Sequence, residues 1–380
     1  MTTPSRSSLG RARNNLPGRL EIPSPMTPSP SSSAPSSLSP LIVPTSNTPN
    51  AKVSAAQITN EIRSQILKVQ PSDGEYGNGD EVPVIMPTPE AEGSQLKPEN
   101  FTDLQRLGEG AGGTVIKVRY IPTQKIMAKK KINVDPEPMF HRQILRELEF
   151  LQQCHSPNIV SYYGAFLEDQ GSSIAIIMEF CEGGSLDAIY KTVSVRKGRI
   201  SEDVLGKIGE SVLKGLVYLY NHDIIHRDIK PSNILVTRQG EIKICDLGVS
   251  GKLVQSIAST FLGTSYYMAP ERITGMPYRV SADVWSLGLT IMEVAQNRFP
   301  YPVLSPIELV AHIANAPAPE LTNEYEWSED LKSFLKFCLE KESLKRPTPK
   351  QMLLHPFIQR VAMKQVNLQE WIKDVWDWKD

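Results

Sequence analysis

Composition changes abruptly near residue 100 of this 380-residue chain, and that break decides how much of it can fold. The first 50 residues hold ten of the 30 prolines, many serines and a single acidic residue, Glu21. Such a segment cannot bury enough apolar surface to offset its ordering entropy, so residues 1–96 are expected to form a disordered Ser/Pro-rich tail. Within it, Ala55–Val69 spaces Ile58, Ile62 and Ile66 at helical intervals. A short regulatory helix and a transient helix without a role both fit that spacing.

Several classes of protein are disfavoured at once. The net charge of −1 gives no reason to expect nucleic acid or a membrane surface as partner. The densest apolar run, Ile174–Met178, is far too short to span a bilayer or to serve as a signal peptide. Arg6, Arg11, Arg13 and Arg19 give the start a transit-peptide composition, but prolines break any amphipathic helix there. Cys154, Cys181, Cys245 and Cys338 are scattered without metal-ligand spacing and read as reduced thiols, without disulfide partners, in a cytoplasmic protein with passage to the nucleus.

From Phe101 onward the pattern is globular and comes in two blocks. Strand-like alternation runs through Thr114–Tyr120, Lys125–Ile132, Ile159–Phe166 and Ser173–Phe180, interrupted by a helical stretch at Pro138–Gln153. After Gly183-Gly184 the signal is mostly helical, at Ser201–Tyr220, Val280–Gln296, Pro306–Ile313 and Ser328–Leu339. Strands followed by helices predict an α+β fold of two lobes, a small β-rich one over 101–180 and a larger α-rich one over 185–358.

The chemistry-bearing residues sit in four places. Leu107-Gly108-Glu109-Gly110-Ala111-Gly112-Gly113-Thr114-Val115 carries glycines at 108, 110 and 113, which let backbone amides approach phosphate oxygens. That spacing is shared with dinucleotide-binding loops, but here it leads into a strand rather than a helix. On the next strand the pleat puts Ile126, Ala128, Lys130 and Ile132 on one face and turns Lys129 and Lys131 away. Ala128 is small enough to lie under an adenine, and Lys130 then falls in the cleft. Its expected counter-charge is Glu147, beside the buried stripe Ile144, Leu148 and Leu151 of the following helix.

Third comes His226-Arg227-Asp228-Ile229-Lys230-Pro231-Ser232-Asn233. Asp228 would orient an attacking hydroxyl and take its proton, Lys230 would steady the transferred phosphate, and Asn233 would give Mg²⁺ an oxygen. His226 is assigned to packing. Fourth, the strand Glu241–Cys245 delivers Asp246-Leu247-Gly248, whose carboxylate is the second Mg²⁺ ligand; hard oxygens suit magnesium and nothing suits zinc. Cys245 borders the cleft as an apolar filler, or as a target for electrophilic ligands. Ala269-Pro270-Glu271 and Asp283-Val284-Trp285-Ser286 follow, with Arg346 placed to pair with Glu271.

In order and spacing these motifs match the general template of the protein kinases. Residues 101–358 resemble a eukaryotic protein kinase domain, and finer details resemble the MAP kinase kinases, most closely fungal ones. SYYGAF (161–166), GGSLD (183–187) and YYMAPE (266–271) carry the likeness, as does the loop Ser256–Thr264. The resemblance implies dual specificity toward Thr and Tyr in a T-x-Y loop, ATP and Mg as cofactors, and Met178 among the ATP-binding residues. It implies Ser256 and Thr260 as phosphoacceptors for an upstream MAP kinase kinase kinase, and a docking extension at 355–380. A pseudokinase scaffold is the alternative, opposed by the presence of Lys130, Glu147, Asp228, Asn233 and Asp246. Two departures stand out. Leu247 replaces the Phe many kinases carry, and the Pro-rich insertion of some animal relatives is absent around Phe299–Pro319. In the tail, Arg11, Arg13 and Arg19 before Leu20-Glu21-Ile22 resemble the docking peptide for the downstream MAP kinase, with a solvated Arg-rich tail as the other reading.

Overall fold

The computed structural model describes residues 96–379, apart from 111–112, 134–147, 149, 247–263 and 303. The expectations for the tail, for Ala111, Gly112 and Glu147, and for Ser256 and Thr260 therefore lie outside the described residues.

The smaller lobe is an antiparallel sheet of order β1-β2-β3-β5-β4, with β1 Phe101–Gly110, β2 Gly113–Tyr120, β3 Ile126–Asn133, β4 Tyr162–Glu168 and β5 Ser173–Glu179. Adjacent residues of β5 serve opposite faces, as the pleat requires. Ala175 and Ile177 join Val118, Tyr120, Met127 and Phe166 on the outer face. Ile174 and Ile176 join Ile132, Ala165 and Leu148 on the inner one. Both faces are covered, so β5 reads as an unbroken apolar run. Leu148 and residues 150–153 are helical, where a helix is expected.

One expected strand is displaced. The alternation at Ile159–Phe166 suggests a single strand, yet β4 begins only at Tyr162. Ile159 instead bridges to Ile244 in the other lobe, and Val160 donates its N–H to the Ile244 carbonyl at 3.0 Å. Apolar alternation marks these residues as buried but cannot say which lobe supplies their backbone partners.

The larger lobe starts with the three-stranded sheet β6 Gly184–Ser185, β7 Ile234–Val236 and β8 Ile242–Ile244, paired in that order. Around it lie α1 Leu186–Val195, α2 Glu202–Tyr220, α3 Pro270–Ile273, α4 Ser281–Gln296, α5 Pro306–Asn315, α6 Glu329–Cys338, α7 Pro349–Met352, α8 Pro356–Ala362 and α9 Leu368–Trp376. Serines start four of them: the Ser185, Ser201, Ser305 and Ser328 hydroxyls accept from the N–H groups of Ala188, Val204, Glu308 and Leu331, satisfying donors the first turn leaves unpaired. All 16 residues of α4 are buried, which makes it the spine of this lobe. An all-round buried helix has no solvent face on which to carry acids, so Asp283 and Glu293 within it need internal partners.

Candidate active site

The loop from His226 to Asn233 is shaped by α4. Asp283, fully buried, accepts the backbone N–H groups of His226 and Arg227, both at 2.8 Å. Burial raises its carboxyl pKa, against which these two bonds and nearby positive groups pull. The Arg227 carbonyl is taken by the Arg272 guanidinium at 2.6 Å. Held at both ends, Arg227 adopts φ 71°, a left-handed conformation that costs a non-glycine residue about 1–3 kcal/mol. Its side chain rests against Tyr278, and its Nε is buried without a hydrogen-bond partner.

His226 is packing that also aligns. Its Nε2 stands 2.9 Å from the Cys245 carbonyl, which can only accept, so Nε2 carries the proton. Nδ1 is then the acceptor for the Asp228 N–H at 3.3 Å. One imidazole thereby ties the Asp228 loop to the segment that carries Asp246.

At the loop's end three polar side chains converge. Asp228 Oδ2 accepts from Lys230 Nζ at 2.9 Å and from Asn233 Nδ2 at 2.8 Å. Asn233 Nδ2 also donates to the Asp228 carbonyl at 2.8 Å. With its amide nitrogen so engaged, Asn233 keeps its oxygen for a ligand, apart from a long 3.4 Å contact from the Ser232 hydroxyl.

Lys130 reaches across from β3 to the other lobe, with Nζ 2.6 Å from Asp246 Oδ1. Burial would lower the pKa of this ammonium, but facing Asp246 outweighs it and holds it above the ordinary lysine value. Burial would likewise raise the Asp246 carboxyl, and Lys130 instead brings it below the ordinary value. The neighbouring lysines point the other way, as the pleat dictates. Lys129 meets Glu168 at 3.0 Å and Asp103 at 2.8 Å, and Lys131 meets Asp169 at 2.6 Å. A pocket lies behind the pair, lined among others by Lys130, Tyr162, Ile176, Met178, Cys245 and Asp246.

Gly108, Gly110 and Gly113 lie on β1 and β2, whose pairing brings Glu109 opposite Thr114 and Gly108 opposite Val115. Val115 pairs with Lys130 and so overhangs the cleft. Gly113 has φ 111°, and a Cβ there would lie 2.0 Å from the Lys131 carbonyl oxygen, so only glycine fits this turn. Above Gly108 there is open space within 4 Å. Leu107 stays 44% exposed at the cleft edge, available to cover a bound base.

A family model described as "Protein kinase domain" matches residues 101–358. The MAP kinase kinase skh1/pek1 of Schizosaccharomyces pombe is 50% identical over 280 residues, covering 72% of this chain and 77% of that protein. The chain belongs to the MAP kinase kinases. The mitogen-activated protein kinase kinase mkk2 of Aspergillus fumigatus is 49% identical over 295 residues, 74% of this chain and 59% of its own length. The dual specificity mitogen-activated protein kinase kinase dSOR1 of Drosophila melanogaster is 43% identical over 305 residues, covering 73% and 75%. This MAP kinase kinase thus spans little more than half the length of some relatives it matches.

The structure brings Lys130, Asp228, Lys230, Asn233 and Asp246 into one cleft, with Met178 at its back and Gly108, Gly113, Thr114 and Val115 at its roof. Lys130 meets Asp246, while its expected partner Glu147 is outside the described residues. Burial pushes the Cys245 thiol well above its ordinary pKa, leaving little thiolate to react with electrophiles and favouring the filler reading.

Two site-shaping groups in this MAP kinase kinase are not assigned by sequence reasoning. Asp283 is noted only as part of a motif. Glu293 accepts the Tyr190 hydroxyl at 2.7 Å and the Tyr267 hydroxyl at 2.5 Å, while Ser286 donates to the Tyr267 carbonyl at 2.7 Å. These contacts fasten the turn Thr264–Tyr267, which directly follows the segment carrying Ser256 and Thr260. The signal that could have found both acids is their presence in an otherwise uncharged helix.

Proposed function

We propose that the chain is an active, ATP-dependent dual-specificity kinase that phosphorylates Thr and Tyr in the T-x-Y loop of a downstream MAP kinase. The observation that carries this reading is the convergence of Asp228, Lys230 and Asn233 with the Lys130–Asp246 pair across one cleft. A pseudokinase scaffold has no need for an ionised Asp246 and an Asn233 oxygen held at the same site, and is the weaker reading.

In the proposed mechanism Asp228 orients the substrate hydroxyl and accepts its proton, a contribution worth on the order of 10²–10⁴-fold. Lys230, already beside Asp228, steadies the moving phosphoryl group. Lys130 holds the nucleotide's phosphates, and the backbone of Gly108, Gly110 and Gly113 covers them. Met178 and Ala128 bound the adenine. The donor set fits magnesium: a carboxylate kept ionised and an amide oxygen, both hard. Two protein oxygens leave the other positions around an octahedral Mg²⁺ to phosphate and water. Asn233 and Asp246 would hold Mg²⁺, which when bound neutralises phosphate charge.

Activation is proposed to follow phosphorylation of Ser256 and Thr260 by an upstream MAP kinase kinase kinase. Each phosphate brings about −1.5 to −2 charges, and Arg227, with its Nε buried and unpartnered, is the proposed basic group for one of them. Arg11, Arg13, Arg19, Leu20 and Ile22 are proposed to tether the substrate. A cytoplasmic location with passage to the nucleus belongs to this reading. No helix among the described residues is long and apolar enough to cross a membrane.

The test is to incubate the phosphorylated protein and Mg-ATP with a panel of catalytically dead MAP kinases and read their T-x-Y loops by mass spectrometry. Double phosphorylation of at least one is expected, and a panel left unmodified overturns the assignment. Ser256→Ala/Thr260→Ala should abolish activation, and Ser256→Asp/Thr260→Asp should restore part of it. Full activity of the unphosphorylated protein removes the switch but not the kinase.

A further inference from the structure

The last turn of α9 reaches the segment that joins the two lobes. The chain leaves β5 at Glu179 and enters the helical lobe through Phe180, Cys181, Glu182 and Gly183. Trp376 donates its Nε1–H to the Gly183 carbonyl at 3.0 Å. Gly183 is buried, and a Cβ there would lie 2.7 Å from the Val236 carbonyl oxygen and 2.9 Å from the Ile372 side chain. So α9 and β7 close on this point of the connection with no room for a side chain.

Further contacts hold α9 and the connection together. Arg238 lies 3.3 Å from the Glu182 carboxylate, and its guanidinium stands over the Trp378 ring at 4.8 Å. Arg196 meets both carboxylate oxygens of Asp377 at 2.6 and 3.2 Å and donates to the Asp374 carbonyl at 3.0 Å. Arg196 ends α1, the helix that begins just after the same connection. The path is therefore closed: connection, α1, Arg196, the end of α9, and back to the connection through Trp376.

Plain packing explains part of this, since Ile372 and Val375 are buried and cover apolar surface. It does not require an indole N–H aimed at a backbone carbonyl between the lobes. Nor does the exposed Arg196–Asp377 pair supply much holding energy by itself.

We propose that Trp376 is a positioning residue for the nucleotide site. It fixes the Gly183 carbonyl and with it the connection whose upstream end, Met178, lines the cleft. That upstream end has its own anchor: Lys243 in β8 lies 3.1 Å from Glu179, which also accepts the Ser161 N–H at 3.2 Å. The connection is thus tied at one end to the strand leading to Asp246 and at the other to α9. This inference rests on the ATP-binding reading of the cleft. It changes the meaning of the 355–380 extension, which is a strap built into the fold as well as the segment where activator docking is expected. A protein seated on α9 that disturbs Trp376 weakens ATP binding, and ATP weakens that protein's binding by the same factor.

The test uses the full chain and Mg-ATP. Trp376→Phe keeps a ring and removes the donor, and Trp376→Ala removes both. Loss of one buried hydrogen bond predicts a rise in KM for ATP of about three- to tenfold in the Phe variant, and more in the Ala variant. Both kcat and KM for the protein substrate should stay within about twofold, because the Asp228 loop is held by Asp283 instead. Unchanged ATP affinity in the Phe variant overturns the inference. So does a fall in kcat at constant KM, which is the mark of a smaller folded fraction. If the Ala variant does not fold, the Phe variant decides. An intact chain that binds no Mg-ATP removes the ATP reading itself, whereas an intact chain that binds and variants that bind equally remove only the strap.

Discussion

The cleft and the base of the helical lobe each hold a buried ion pair, and the two are built for different ends. At the base, Arg346 meets both oxygens of Glu271 at 2.7 and 3.0 Å, donates to the carbonyls of Ser281 and Glu340, and stacks on Trp285 at 5.1 Å. The pair is saturated and its acid is 7% exposed. In the cleft, Lys130 offers three protons and finds one acceptor among the described residues, Asp246, whose side chain is 36% exposed. A closed pair can only hold structure. A pair with a solvent-exposed edge can pass its charges to a ligand. Burial of the basic partner alone therefore does not separate a structural ion pair from one proposed for catalysis; solvent access to the acid does.

The largest expected effects fall in and beside the cleft pair. Asp228→Asn should lower phosphotransfer by about 10²–10⁴-fold while ATP affinity and thermal stability stay near those of the parent. Near-normal turnover would falsify the assignment of the base.

The contrast between the pairs is tested by breaking each from its basic side. Arg346→Met strands Glu271 in a site water hardly reaches and should cost about 3–5 kcal/mol of stability, read by denaturant unfolding. Adding Glu271→Leu should recover much of that loss, because no buried charge then lacks a partner. Lys130→Met should abolish activity yet cost less stability, since Asp246 can be hydrated from its exposed side. Equal destabilisation by the two single variants would mean that the cleft pair is as structural as the other.

The smallest effect concerns residues far from either pair. A flexible tether raises the local concentration of substrate without touching the chemical step. Deleting residues 1–23 should raise KM for the MAP kinase by severalfold and leave kcat and ATP affinity nearly unchanged. Leu20→Ala/Ile22→Ala should reproduce much of it. An unchanged KM reduces the tail to a spacer.

Much of the cleft is legible in the amino-acid sequence because its chemistry is local. Asp228, Lys230 and Asn233 lie within six residues, and the pleat of one strand is enough to choose Lys130 over Lys129 and Lys131. The boundaries of β4 are not legible, since Ile159 and Val160 take their backbone partners from the other lobe. Resemblance marks α9 as a docking surface and says nothing of its inward face. Its amphipathic spacing shows that one side is buried but not against what.

The division has a physical cause. Period-two and helical spacing, turn glycines and short polar motifs are set by steric rules acting over a few residues, so the sequence alone determined the two lobes, the glycine-rich stretch and the candidates for the reactive groups. Partnerships across long separations depend on how packed elements meet. Lys130 with Asp246, Asp283 under the Arg227 loop, Glu293 between Tyr190 and Tyr267, and Trp376 on Gly183 span from 26 to 193 positions. No local rule selects among the acids and donors available at such distances. Only the tertiary structure decided which of them meet, because the cost of burying an unpaired polar group is felt only once the core has closed around it.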